Sequence, residues 1–183
     1  MCIRDSPGTP VFFGDTQPGP EGSIFGHPAT ERAIAVGTIN VQEPGNDEIA
    51  EFSSQGPSLI SFPIPELRSK PDITGIDGVS VTGSGGFPST FFGTSAAAPH
   101  IAGIAALLKS ANPDATADEI RSALINGADD LGATGIDNVY GGGRANAEGS
   151  LLLLPDPIVS NSSGDFDILD FLPAIIEASK KRN

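Results

Sequence analysis

Ser95 stands at a point in the sequence where a hydroxyl group can act as a nucleophile. It follows Gly93 and Thr94 and precedes a run of mostly small apolar residues, which predicts a buried helix over 94–110. The start of a helix offers unpaired backbone N–H groups and a positive dipole end, which favour negative charge developing beside Ser95. Because Gly93 has no side chain, a substrate backbone can approach it closely. Composition alone leaves a second interpretation open, in which Thr94 or Ser95 is only the N-cap of the helix.

A serine hydroxyl is a weak nucleophile until a base takes its proton, and the usual base is histidine. The sequence holds two histidines. His100 is five residues after Ser95, which places it about 140° around a helix from that serine. The two side chains therefore cannot share a hydrogen bond, and we expect His100 to be a packing histidine. His27 lies between Gly26 and Pro28, and we expect it to be a loop histidine.

The segments around Ser95 predict alternating strands and helices. The apolar run 33–39, bounded by turn residues, is typical of a strand buried on both faces in a parallel sheet. Shorter strands are predicted over 47–53, 72–74 and 79–82, with a turn over 75–78 and a proline-containing loop over 58–70. Thr116 and Glu119 form a capping box that begins a second helix, and 145–153 predicts a third. This order favours an α/β layer fold.

Charge and composition exclude several kinds of partner. The chain has 23 Asp and Glu against 10 Lys and Arg, a formal net charge of -13. Contacts to phosphates need clustered basic residues, so we expect no nucleic-acid partner and no anionic membrane. The single Cys2 excludes an internal disulfide. No apolar run approaches the ~20 residues of a membrane span.

The run from Gly93 to Gly103 resembles the nucleophile motif of the subtilases, written G-T-S-[MA]-[AS]-x-P-H-[VI]-[AS]-G. Other segments resemble the same family in the same order, over residues 24–150 in all: Ile34-Ala35-Val36-Gly37, Phe52-Ser53-Ser54-Gln55-Gly56-Pro57, Lys70-Pro71-Asp72-Ile73, Asn112-Pro113 and Gly141-Gly142-Gly143-Arg144-Ala145-Asn146-Ala147. The resemblance implies a subtilisin-like α/β fold, with a largely parallel sheet flanked by helices. One departure is visible, because Gly75-Ile76-Asp77-Gly78 replaces the family's Ala-Pro-Gly. We expect it to lie away from the motif and to affect only the local turn.

The resemblance also implies a function. It is that of a serine endopeptidase which hydrolyses polypeptides through an acyl-enzyme, with Ser95 as nucleophile. Gly93, Thr94 and Ser95 are then the oxyanion and substrate-binding residues, and the chemistry needs no cofactor or metal. The family is typically secreted. An unrelated function, that of a degenerate protease acting as a scaffold or binding module, stays open.

The triad order of the family is Asp, His, Ser, and neither a D-[ST]-G nor an H-G-T motif precedes Ser95 here. We therefore expect the chain to be a fragment that is inactive alone and whose partner is the missing N-terminal part of its own catalytic domain. Residues 1–23 are interpreted as a truncated or non-native head and loop, and 151–183 as an acidic linker or tail.

Two hypotheses concern these ends. Asp15 stands where the resemblance expects the oxyanion Asn, unless an insertion places that Asn further upstream. In the tail, five residues match a Ca²⁺-binding loop: Asn161, Ser163, Gly164, Asp167 and Asp170. Val159 stands where the loop needs its first carboxylate, so the tail is either a structural Ca²⁺ site or simply an acidic segment with a short amphipathic stretch.

Overall fold

The structure is a computed structural model that describes residues 22–155. Cys2, Asp15 and the candidate Ca²⁺ loop at 159–170 lie outside the described residues. The described part contains six strands and three helices: β1 (Val36–Asn40), β2 (Ser58–Ile60), β3 (Glu66–Arg68), β4 (Ile73–Asp77), β5 (Val79–Ser80), β6 (Thr90–Phe91), α1 (Thr94–Ala111), α2 (Ala117–Asn126) and α3 (Ala147–Leu152).

The centre of the fold is a parallel pair of buried strands. β1 pairs with β4 in register from Val36 opposite Ile73 to Asn40 opposite Asp77. The strand predicted over 33–39 is confirmed in its second half. The turn predicted over 75–78 is wrong, because β4 continues through Gly75 to Asp77 and the chain turns only at Gly78, where φ is 68°.

Two short antiparallel pairs form separate sheets. β2 pairs with β3, where the sequence predicted a loop over 58–70. That prediction is wrong because Pro63 and Pro65 both lie in the connection and leave the strands free to pair. β5 pairs with β6 and leads the chain directly to Gly93. No regular strand forms over 47–53, where Ile49 makes only an isolated bridge to Ile39.

The three predicted helices are confirmed within a few residues. The prediction that the first of them is buried is wrong for one face, because Ala98, Ala102, Ala106 and Leu107 are exposed in the described part of the chain. α1 continues through Pro99 to Ala111 and is the longest helix of residues 22–155. α2 begins with the predicted capping box, in which Thr116 and Glu119 exchange hydrogen bonds with each other's backbone N–H groups. None of the helices in this described range is long and apolar enough to cross a membrane.

α1 packs against β1, β4, α2 and α3. Its buried side chains Ile101 and Leu108 belong to one core cluster with Ile73 of β4 and Leu124 of α2. Each such side chain contributes about 1.5–3 kcal/mol by leaving water. The architecture is therefore α/β, with one face of α1 packed against the parallel strands and the other helices.

Candidate active site

Ser95 is the second residue of α1, and its surroundings follow from the way that helix starts. The N-cap is Gly93, with φ 100° and ψ 165°, and no side-chain hydrogen bond caps the helix within residues 22–155. The interpretation of Thr94 or Ser95 as a mere N-cap is therefore wrong. The Gly93 carbonyl accepts hydrogen bonds from the N–H groups of Ala96 (2.8 Å) and Ala97 (3.3 Å). Within residues 22–155 neither the Ser95 N–H nor its Oγ makes a hydrogen bond, so both are available to a ligand.

The start of α1 is tied to the end of β4 by one side chain. The Gly93 N–H donates to Asp77 Oδ2 over 2.6 Å. Asp77 is completely buried, and its Oδ1 has no hydrogen-bond partner among the described residues. Burial raises the pKa of this carboxyl, and the hydrogen bond from Gly93 opposes that rise. The expectation that 75–78 lies away from the serine motif is therefore wrong.

A second close contact joins β4 to the first turn of α1. A Cβ on Gly75 would lie 2.9 Å from the Ala97 carbonyl oxygen and 3.1 Å from the Ala97 Cβ. Ala97 is completely buried against this strand. Gly75 thus permits the helix to approach the sheet. The two residues that β4 contacts here, Gly93 and Ala97, lie two positions before and two positions after Ser95 in the sequence.

His100 is not placed to serve Ser95. Its Nδ1 lies 2.7 Å from the carbonyl oxygen of Ala96, one turn back on the same helix. Pro99 has no N–H, so the Ser95 carbonyl lacks its usual helical donor. The His100 ring bonds the carbonyl of the following residue, Ala96. The expected packing role is wrong, because His100 is exposed in the described part of the chain. His27 begins a short 3-10 turn and is exposed, as expected of a loop histidine.

Comparison with known proteins decides the family. The sequence model of the Subtilase family (peptidase S8) matches residues 15–143. The chain belongs to the subtilase family.

Relatives among characterised proteins agree with this assignment. Serine protease AprX of Bacillus subtilis (strain 168) is 33% identical over 165 residues, which cover 80% of this chain and 36% of AprX. Subtilisin Savinase of Lederbergia lenta is 37% identical over 128 residues, covering 69% of this chain and 40% of that protein. The chain thus spans well under half the length of either relative.

Among solved structures, the psychrophilic subtilisin-like protease Apa1 from Pseudoalteromonas sp. AS-11 is 42% identical over 34% of this chain and 14% of that one, with a TM-score of 0.33. The parallel β1–β4 pair and its flanking helices agree with the α/β fold that membership of the subtilases implies.

The subtilase segment Lys70-Pro71-Asp72-Ile73 forms a buried ion network that sequence reasoning did not identify. Asp72 Oδ2 accepts from Lys70 Nζ (2.6 Å) and from the Ala35 N–H (2.7 Å). Asp72 Oδ1 accepts from Arg121 on α2. Lys70 Nζ also donates to the Ala33 carbonyl (2.8 Å). The network joins the segment before β1, the segment before β4 and α2. The sequence signal for it was the presence of Lys70 and Asp72 beside a strand that was expected to be buried.

Asp77 is the second residue that sequence reasoning missed. The sequence did mark this residue as unusual, since Asp77 lies in the segment where the subtilase pattern has Ala-Pro-Gly. Its contact to Gly93 spans sixteen positions of sequence, however, and no local periodicity predicts it. Elsewhere in residues 22–155 no group of three or more His, Cys, Asp or Glu side chains is placed to hold a metal ion.

Proposed function

We propose that Ser95 is the nucleophile of a serine endopeptidase that cleaves polypeptides, and that it acts within a longer polypeptide which includes this chain. The observation that carries the proposal is the placement of Ser95 at the first turn of α1, inside the subtilase motif, with its N–H and Oγ both unused within residues 22–155. A preorganised N–H at a helix start is the kind of donor that stabilises an oxyanion.

The chemistry that these atoms support is acyl transfer. Ser95 Oγ attacks the carbonyl carbon of the scissile peptide while a histidine takes the hydroxyl proton. The carbonyl oxygen becomes negatively charged and accepts a hydrogen bond from the Ser95 N–H. The C–N bond then breaks, and the departing amine takes the proton from the histidine. Water hydrolyses the resulting ester by the reverse path and releases Ser95.

The histidine and the aspartate of this triad come, in this proposal, from sequence upstream of residue 1. His100 is occupied by the Ala96 carbonyl, and His27 lies outside any H-G-T helix. The chain also spans only 36% of AprX. We accordingly propose that the 183-residue chain has no peptidase activity alone. Secretion is part of the proposal, supported by the relative named extracellular serine protease from Serratia marcescens, 50% identical over 54 residues.

The test compares the isolated chain with the longer polypeptide on an unspecific peptide or casein substrate. We expect turnover only by the longer polypeptide, and its loss in the Ser95→Ala variant. Loss of the triad serine in subtilisin lowers kcat about 10⁶-fold. Turnover by the isolated chain that Ser95→Ala abolishes would contradict the upstream origin of the base. A folded but inactive longer polypeptide would instead favour the scaffold function.

A further inference from the structure

Asp77 is held rigidly by the sheet, and its side chain points at the serine motif. It is the last residue of β4, opposite Asn40 of β1, and its own carbonyl accepts a hydrogen bond from the Val41 N–H (2.9 Å). The backbone of Asp77 is therefore fixed on the side facing β1. Its carboxyl, completely buried, receives the Gly93 N–H over 2.6 Å. A short hydrogen bond to a carboxylate is stronger than one between neutral groups.

The Gly93 peptide is the point from which α1 starts. Gly93 has a φ of 100°, which glycine adopts readily and other residues rarely do. Its carbonyl begins the helix, and no side chain caps the helix from within the motif. The orientation of this one residue therefore sets the direction of the Ser95 N–H and Oγ, and Asp77 is the only side chain among residues 22–155 that bonds its N–H.

Asp77 Oδ1, the carboxyl oxygen that does not bond Gly93, indicates that the Asp77–Gly93 hydrogen bond has a role beyond stabilising the fold. Asp77 Oδ1 is buried and has no partner in the part of the chain that the structure describes. Burying a carboxyl with one oxygen unpaired is unfavourable. A feature that costs stability and adjoins a reactive residue is typical of a residue retained for function.

We propose that Asp77 is a positioning residue for catalysis: its carboxyl fixes the Gly93 amide so that the first turn of α1 presents the Ser95 N–H and Oγ together in the geometry of acyl transfer. The proposal rests on the proposed role of Ser95. Asp77 contacts neither substrate nor reacting atoms, and it acts only through Gly93.

The test measures kcat and KM separately in the longer polypeptide for four variants. Asp77→Ala removes the acceptor. Asp77→Asn keeps an acceptor oxygen for the Gly93 N–H without the charge. Thr38→Val is the matched control, because Thr38 is also completely buried on the neighbouring strand and its Oγ1 has no partner within residues 22–155, but it makes no hydrogen bond to Gly93. Ser95→Ala reports on the proposed function itself.

Misplacement of a reacting group by about 1 Å costs roughly 100-fold in rate. We expect Asp77→Ala to lower kcat about 10- to 100-fold with KM changed less than about 3-fold, since ground-state binding does not need the oxyanion geometry. We expect Asp77→Asn to restore kcat to within about 5-fold of wild type, and Thr38→Val to leave it unchanged. A purely structural role would not separate kcat from KM in this way.

Each other outcome overturns the proposal. A folded Asp77→Ala variant with wild-type kcat does so, and so does an Asp77→Asn variant as slow as Asp77→Ala. If Asp77→Ala does not fold, Asp77→Leu, which has a similar branched shape but no acceptor, takes its place. If neither folds while Asp77→Asn does, the contact serves folding and not positioning. Activity that survives in Ser95→Ala overturns the proposed function, whereas activity lost in Ser95→Ala but unaffected by Asp77→Ala overturns this inference alone.

Discussion

Lys70 Nζ lies 2.6 Å from Asp72 Oδ2, and the two side chains are 3% and 4% exposed. The pair occurs one residue either side of Pro71, directly before β4, and Arg121 of α2 bonds the other oxygen of the same carboxylate. One buried carboxylate therefore joins the sheet to a helix that begins more than forty residues later. Buried ion pairs of this kind are costly to break, because the remaining charge has no water to solvate it.

We predict that Lys70→Met destabilises the protein by about 3–5 kcal/mol, since the buried negative charge of Asp72 then keeps only Arg121 as a positively charged partner among residues 22–155. The measurement is the urea midpoint of unfolding of the longer polypeptide. The matched control is Glu66→Gln, which breaks the exposed Arg68–Glu66 pair and is expected to shift the midpoint far less. Equal shifts for the two variants would show that the Lys70–Asp72 pair is not a stabilising contact.

The pH dependence of stability gives a second prediction, for Asp77. Burial raises the folded-state pKa of this carboxyl above its ordinary value. A group with a raised folded-state pKa contributes its stability fully below the unfolded pKa, about 4 for Asp, and loses it as the pH rises through the folded pKa. Asp77→Asn stays neutral throughout.

We therefore expect wild type to lose stability relative to Asp77→Asn as the pH rises from below about 4 to neutral. The measurement is the difference between the apparent unfolding midpoints of the two proteins across a pH series. A difference that stays constant, or one that changes in favour of wild type at neutral pH, would contradict a raised pKa.

The capping box of α2 gives a third prediction. Thr116 Oγ1 accepts from the Glu119 N–H (3.2 Å), and Glu119 Oε2 accepts from the Thr116 N–H (2.7 Å). Thr116→Ala removes the first of these bonds and should cost about 0.5–2 kcal/mol. Ser122→Ala, at an exposed position inside the same helix, is the control and should be neutral or slightly stabilising. The two unfolding midpoints decide this, and no loss in Thr116→Ala would mean that the cap is not formed in solution.

Local patterns in the sequence predicted the elements that they encode directly. The extent of α1 follows from its alanine-rich apolar run, although that run wrongly predicted burial on every face. α2 follows from Thr116 and Glu119 at the spacing of a capping box. The β2–β3 hairpin was missed because Pro63 and Pro65 dominate the pattern of a segment whose strands are only three residues long.

The site was predictable in its nucleophile motif and not in what holds that motif in place. Ser95 and Gly93 lie within a recognisable run of eleven residues. The Asp77–Gly93 bond depends on how far β4 extends before the chain turns, and a glycine-rich segment gives no local signal for that length. Gly75 predicted a turn by its type, whereas its lack of a Cβ serves the approach of Ala97.

Covalent labelling of Ser95 tests the proposed catalytic role most directly. A fluorophosphonate reacts with an activated serine hydroxyl far faster than with an ordinary one, so labelling needs the upstream base but no knowledge of the substrate. In the longer polypeptide we expect one adduct, located on Ser95 by peptide mapping, with none in Ser95→Ala. The neighbouring Ser84 and Ser89, in the connection between β5 and β6, should stay unmodified. His100→Ala should still be labelled, because that ring bonds the Ala96 carbonyl. An adduct on any other residue, or none on a folded polypeptide that carries both upstream motifs, would contradict Ser95 as the nucleophile.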